Sequence, residues 1–187
     1  LNTDDHGGYL SGYPDGAFGP DRSMTRAEVA QMFYALLRDK DVPITVTFTD
    51  VGEGAWYHQA VNVLASLGMV SGVGDGRFEP DRPVTRAEFT AIAAGFARLE
   101  QGGATRFTDV HESDWYYHVV SGCARYGWIS GYADNTFRPN NPITRAEVTV
   151  IVNNMLGRTA DWRYIEEHEE ALLQFSDLTK SHWAYYQ

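Results

Sequence analysis

Ser11-Gly12-Tyr13-Pro14-Asp15-Gly16-Ala17-Phe18-Gly19-Pro20, running on to Thr25-Arg26-Ala27-Glu28, is the stretch from which the rest of the chain can be read. It returns as Ser71-Gly72-Val73-Gly74-Asp75-Gly76-Arg77-Phe78-Glu79-Pro80 with Thr85-Arg86-Ala87-Glu88. A third copy is Ser130-Gly131-Tyr132-Ala133-Asp134-Asn135-Thr136-Phe137-Arg138-Pro139 with Thr144-Arg145-Ala146-Glu147. Offsets of 60 and 59 residues make this one period, the mark of a repeat architecture. A second motif alternates with the first. Phe48-Thr49-Asp50-Val51 leads to Trp56-Tyr57, Phe107-Thr108-Asp109-Val110 to Trp115-Tyr116, and Phe175-Ser176-Asp177-Leu178 to Trp183. The chain thus holds three of each half. Its phase predicts that the Trp183 segment packs beside the first loop, near Gly12, and closes a ring.

Each unit reads as helix, loop, helix. Trp56, Ala60, Val61, Leu64 and Leu67 fall at helical spacing, and Gly68 stands where a C-terminal cap belongs. The same holds from Trp115 to Tyr126, with Gly127 behind it. After each loop comes another apolar helix face: Val29, Met32, Phe33, Leu36 and Leu37, then Phe89, Ile92, Ala93 and Phe96, then Val148, Ile151, Val152, Met155 and Leu156. Asp-Gly or Asp-Asn pairs supply the tight turns between. Helices this short do not bury an apolar face alone, so the units are expected to pack into one compact body. The boundaries are 1–47 for the first loop and its helix, 48–106 and 107–174 for the second and third units, and 175–187 for a half-unit completing the first. Glu147 to Phe175 spans 28 residues against 20 and 19 in the other units. The added stretch, with Trp162, Ile165, Glu166, Glu167, Glu169, Glu170 and Leu172, reads as an extra acidic amphipathic helix.

Threonine followed three residues later by glutamate, just ahead of an apolar helical run, is a capping box. Thr25, Thr85 and Thr144 are the expected N-caps, and Glu28, Glu88 and Glu147 the residues reaching back to them. The arginine between is not explained this way. Arg26, Arg86 and Arg145 stand in the first helical turn, where the dipole disfavours a cation by about 0.3 to 1 kcal/mol. Two partners remain open. One is an internal carboxylate from Asp15, Asp75, Asp134 or the Phe-x-Asp aspartates. The other is an anionic ligand held jointly by the arginine and the open N–H groups of the helix start. Trp56, Trp115 and Trp183 are either helix-face core or platforms for a sugar ring, whose C–H face suits an aromatic. Phe18, Phe78 and Phe137 read as core pins. Gly12, Gly72 and Gly131 serve backbone turns or the close approach of a ligand.

Composition narrows the function. Aromatics at 13% within a 43% hydrophobic chain are enough for a core. A net charge of −10 speaks against nucleic acid and against adsorption to anionic lipid. No run approaches the roughly 18 apolar residues of a membrane span, and no secretory leader is visible, so any export signal is expected outside these residues. Cys123, the only cysteine, reads as a small buried hydrophobe. His6, His58, His111, His118, His168 and His182 show no repeated metal-ligand spacing, and the loops lack the ligand pattern of an EF-hand. No metal or cofactor is expected.

The Gly-Tyr-x-Asp-Gly-x-Phe-x-Pro loop, the Thr-Arg-Ala-Glu box and the Phe-x-Asp-Val…Trp-Tyr segment together resemble the S-layer homology domain family in its tandem triplet. The resemblance spans nearly the whole chain apart from Gly157 to Gln174. It implies a mainly α fold, a pseudo-threefold, three-lobed helical spindle with grooves between lobes. It also implies a non-catalytic, extracellular module of the bacterial cell wall or S-layer that binds secondary cell-wall polysaccharide, through a pyruvylated amino sugar. A cargo domain is then expected on the same chain outside these residues. The ketal carboxylate would be the anion at Arg26, Arg86 and Arg145. Gly12, Gly72, Gly131, Asp15, Asp75, Asp134, Tyr13, Tyr132, Trp56, Trp115 and Trp183 are the further groove candidates. Val73-Gly74 replaces the tyrosine pair in the second copy, so Arg86 is expected to matter least. Replacing a groove arginine is expected to weaken binding without unfolding the protein, whereas an arginine in a buried ion pair predicts the reverse. A protein–protein module and part of a wall-glycan-processing enzyme are the alternatives.

Overall fold

The computed structural model describes residues 1–4, 7–97, 99, 103–172 and 175–187; His6 lies outside them. Among the described residues six α-helices follow one another: α1 Arg26–Ala35, α2 His58–Ser66, α3 Arg86–Gly95, α4 Tyr117–Arg125, α5 Arg145–Met155 and α6 Trp162–Glu167. Among the described residues there is no β-strand, only isolated bridges. No helix among the described residues is long and apolar enough to cross a membrane.

Helices α1, α3 and α5 begin on complete capping boxes. The Thr25, Thr85 and Thr144 hydroxyls accept from the N–H of Glu28, Glu88 and Glu147, whose carboxylates accept from the threonine N–H at 2.8, 2.9 and 2.9 Å. Helices α2 and α4 start later than the hydrophobic period suggests. Turns carry the chain to His58 and Tyr117, leaving Trp56 and Trp115 ahead of the helices and solvent-exposed at 63% and 64%. The core reading of the tryptophans is therefore overturned, Trp183 included at 61%. Their period matches the apolar face, but the helix that would turn them inward has not yet begun. Gly68 and Gly127 follow the helix ends with φ of 72° and 73°, the left-handed cap conformation glycine adopts without strain.

The three units meet on an axis. Met24 N–H donates to the Ile143 carbonyl at 3.0 Å, Ile143 N–H to Val84 at 2.9 Å, and Val84 N–H to Met24 at 3.0 Å, a closed cycle of three backbone bonds. The three side chains are fully buried. Outward from this axis α2 lies on α1 and α4 on α3, and Phe33 stacks between Phe89 and Phe96 at 5.6 and 4.7 Å. Cys123 is buried within this core, which pushes its thiol up to about 12.

The ring also closes through the chain's last segment. Phe175 packs on Phe18 at 5.2 Å, as Phe48 does on Phe78 at 5.3 Å and Phe107 on Phe137 at 5.4 Å. Asp177 accepts from the N–H groups of Phe18 and Gly19, as Asp50 does from Phe78 and Glu79 and Asp109 from Phe137 and Arg138. Each aspartate thus fixes one loop. The added stretch before this segment is less helical than its composition suggests: α6 is six residues, followed by a short 3-10 helix Glu169–Ala171, with no buried residue in either.

Candidate functional site

The arginines of the repeated box find partners in the next unit of the ring. Arg26 donates through Nε to the Phe78 carbonyl at 2.7 Å and through Nη2 to that of Ser71 at 2.5 Å. Arg86 does the same to Phe137 and Ser130, at 2.8 and 3.4 Å, and Arg145 to Phe18 and Ser11, at 2.8 and 2.6 Å. Every arginine therefore grips the loop of the following unit, and the third grips the first. Arg86 and Arg145 are 4% exposed; Arg26 is half-buried. Burial, with the Arg82 cation beside it, lowers the Arg26 pKa from its usual value.

Two sequence expectations fail here for one reason. The first-turn N–H groups are not open to a ligand. Those of Arg26, Arg86 and Arg145 donate to the carbonyls of Arg82, Asn141 and Arg22, and those of Ala27, Ala87 and Ala146 to Pro80, Pro139 and Pro20, all at 2.9–3.0 Å. Nor are loop or Phe-x-Asp aspartates the bonded partners of the arginines. Main-chain carbonyls are, joined in one case by Glu147, whose Oε1 lies 2.7 Å from Arg86 Nη1. A side chain with that many bonds to a neighbouring unit ties the units together, which argues that its loss would cost stability rather than spare it.

The loop residues have local duties. A Cβ on Gly12, Gly72 or Gly131 would lie 2.5, 2.7 or 2.5 Å from the ring of Phe175, Phe48 or Phe107. The same Cβ would lie 3.0, 2.8 or 2.6 Å from a carbonyl oxygen across the loop. The repeated glycine is thus required by the chain's own aromatic ring. Asp15 and Asp134 each accept from the N–H two residues on, at 3.0 Å, as turn formers do. Bonds from the Thr136 hydroxyl and N–H and from Arg138 hold the Asp134 carboxyl down to about 2. Asp75 adopts φ of 51°, a left-handed turn position. Phe78 and Phe137 are buried and Phe18 half-buried.

Of the remaining candidates, Tyr132 and Trp183 meet Arg86 and Gly131 at one cleft, whereas Tyr13, Trp56 and Trp115 lie outside it. A cavity of about 360 Å³ is lined by Arg86 from the second unit, by Trp128, Ile129, Ser130, Gly131 and Tyr132 from the third loop, by Glu147, Val150 and Ile151 of α5, and by Trp183. Tyr132 donates to Glu147 at 2.6 Å, with the Arg138 guanidinium 3.9 Å and that of Arg86 5.0 Å from its ring centre. Burial and then the Glu147 carboxylate push the Tyr132 hydroxyl up, so it serves as a donor. Trp183 reaches this cleft from a segment seated on the first loop: Ser176 N–H donates to the Gly16 carbonyl at 3.0 Å and His182 lies 3.4 Å from Asp21. The expectation placing it near Gly12 is met by Phe175; the indole itself faces the third loop.

This geometry removes the ground on which Arg86 was expected to matter least. Arg86 does not face Val73 and Gly74 of its own unit but Gly131 and Tyr132 of the next. The arginine at the loop lacking tyrosine is Arg26, and there Arg82 takes the tyrosine's place, its Nη2 2.7 Å from Glu88 Oε1. In the first loop Tyr13 reaches Glu28 at 3.4 Å, beneath Arg22 and Arg145 at 4.2 and 4.9 Å. Sequence reasoning missed Glu147 as a groove wall and the carbonyls of Ser11, Ser71 and Ser130.

Comparison with known proteins follows the same periodicity. The S-layer homology domain family matches residues 6–30, 47–90 and 106–149. The chain is 33% identical over 193 residues to a cellulosome-anchoring protein of Acetivibrio thermocellus, 98% of this chain and 41% of that protein. It is 33% identical over 159 residues to an amylopullulanase of Thermoanaerobacterium thermosulfurigenes, 81% of this chain and 8% of the enzyme. A surface layer protein of Brevibacillus choshinensis is 35% identical over 104 residues, 53% of this chain and 9% of that protein. The chain thus spans less than half the length of these relatives. With three boxes, three loops and three Phe-x-Asp segments bound into one cycle, and the family matched in all three periods, this chain belongs to the S-layer homology domain family.

Proposed function

We propose that this chain is a non-catalytic anchoring module that holds its protein to the bacterial cell surface by binding secondary cell-wall polysaccharide. In this reading it takes a pyruvylated amino sugar in a groove between lobes, and the working groove is the cleft of Arg86, Gly131, Tyr132, Glu147 and Trp183. The observation that carries this is an exposed indole standing over a preformed cavity of about 360 Å³ that also holds a buried arginine. An indole offers its face to the C–H side of a pyranose, while a few polar groups orient the ring. The bonds described above engage three of the five N–H donors of Arg86, leaving two for a ketal carboxylate. Glu147, the carboxylate on the groove wall, is paired with Arg86 and receives the Tyr132 hydroxyl, which tempers its repulsion of an anion. The net charge of −10 is screened beyond about 8 Å at physiological salt, so it slows encounter more than it opposes contact.

Relatives named as anchoring and surface-layer proteins support this location, and the 8% share of an amylopullulanase supports a cargo carried on the same chain. Cosedimentation with purified cell walls tests the reading. The protein should pellet with walls that keep their non-peptidoglycan polymer and stay in solution once that polymer is stripped. Equal pelleting with both, or turnover of wall sugar by the purified chain, would reject it.

A further inference from the structure

Two of the three loops carry a tyrosine, and over each ring lies a surface arginine that the repeat alone does not place there. On Tyr132 it is Arg138, its guanidinium 3.9 Å from the ring centre; on Tyr13 it is Arg22 at 4.2 Å. Phe18-Gly19-Pro20-Asp21-Arg22 aligns with Phe137-Arg138-Pro139-Asn140-Asn141, so Arg22 matches Asn141 and Arg138 matches Gly19. The same cation thus reaches the same ring from two different positions. In the second loop Val73 stands in place of the tyrosine, and Arg82, the match of Arg22, turns to Glu88 at 2.7 Å instead. The covering arginine goes with the tyrosine, not with the loop.

At Arg138 the arrangement is held against strain. Its backbone has φ of 57°, the left-handed conformation that the matching Gly19 takes freely at 68°. Its Nε donates to Thr136 Oγ1 at 3.2 Å, its Nη2 pairs with Asp134 at 3.1 Å, and its N–H is bound by Asp109. Arg138 lies outside the lining of the cleft, so it acts there through Tyr132. The two tyrosines differ accordingly. Beneath the pinned Arg138, Tyr132 donates to Glu147 Oε1 at 2.6 Å, and that same oxygen lies 2.7 Å from Arg86 Nη1. Arg22 is exposed, with no hydrogen bond or ion pair to its guanidinium among the described residues, and under it Tyr13 stands 3.4 Å from Glu28. Nor does Glu28 pair with Arg145 among the described residues. The carboxylate lining the cleft is Glu147. Free of its partners it would meet an incoming anion with its own charge; held by Tyr132 and Arg86, that charge is answered within the wall.

We propose that Arg138, pinned by Asp134 and Thr136, is a positioning residue that locks Tyr132 onto Glu147 and so gives the cleft a preference for an acidic sugar over a neutral one. This rests on the reading of the cleft as the seat of an anionic wall sugar.

The test titrates purified wall polysaccharide, native and carboxyl-reduced, into the full chain. The unaltered chain should bind the native polymer at least about tenfold more tightly. Arg138→Ala should narrow that preference roughly two- to fivefold, the worth of an exposed cation over an aromatic ring, and leave affinity for the reduced polymer unchanged. Tyr132→Phe should narrow it as well, and adding Arg138→Ala should then narrow it no further. Should Arg138→Ala fold poorly, Thr136→Val, which frees the guanidinium without removing it, gives the independent reading in the same direction. A preference kept whole in Arg138→Ala and Thr136→Val would overturn the positioning role and leave the anionic ligand of the cleft standing. Equal losses for both polymers would also overturn it, since Arg138 would then only support the fold. Equal affinity of the unaltered chain for the two polymers would refute the anionic reading itself, and this role with it.

Discussion

Arg86 donates to two carbonyls of the following unit and to Glu147 while only 4% exposed, so removing it strands polar groups inside the molecule. Breaking a buried pair of this kind costs roughly 3–5 kcal/mol, and urea unfolding of Arg86→Ala should show a loss of that size. Arg26 is half-buried and its carbonyl bonds are partly solvent-screened, so Arg26→Ala should cost about 1–2 kcal/mol. Equal, negligible losses in both variants would contradict the gripping role. The sequence exposed the arginines as an anomaly, because a cation in a first helical turn is locally unfavourable three times over. It did not expose their partners. Main-chain carbonyls carry no residue signature, and those of Ser71 and Phe78 lie 45 and 52 positions from Arg26.

Among the elements, the starts of α1, α3 and α5 were legible because a capping box is a local device, with all its chemistry inside four residues. The starts of α2 and α4 were not. There the hydrophobic period runs on through Trp56 and Trp115, and the turn that keeps both out of the helix sets its first residue. The loops show a third case. Their turn chemistry was readable, but the aspartate fixing each one comes from the Phe-x-Asp segment 28 or 29 residues before it in two copies and 158 or 159 after it in the other. For Asp50, burial alone would raise the carboxyl, but the N–H groups of Phe78 and Glu79 outweigh it and hold it below the usual range. A carboxyl depressed in the folded state contributes stability above its unfolded pKa and loses it as pH falls through the folded one. The urea midpoint should therefore drop below about pH 4, and Asp50→Asn should flatten that limb while lowering stability at neutral pH. An unchanged acid limb in Asp50→Asn would place the pH dependence elsewhere.

Across the whole molecule the three units form a cycle at three radii. Backbone bonds join Met24, Val84 and Ile143 on the axis, arginines grip the next loop further out, and aspartates fix the loops at the rim. Sequence phase was enough to anticipate that the last segment closes on the first loop. It could not show that the closure carries Trp183 onward to the third loop, because that depends on where one unit's turn meets its neighbour's groove. Cyclic closure also makes the grooves unequal, since each borrows its wall from a neighbour with its own substitutions. The cleft between the second and third units brings Arg86, Tyr132 and Trp183 together on its lining. Isothermal titration of purified wall polysaccharide into the unaltered chain, Trp183→Ala and Trp162→Ala tests that cleft, since Trp162 is equally an exposed indole but lies on α6, outside the groove. Loss of a central aromatic anchor costs about 2 kcal/mol or more. Trp183→Ala should therefore bind at least about tenfold more weakly, and Trp162→Ala should bind as the unaltered chain does. Unchanged affinity in Trp183→Ala would contradict the account.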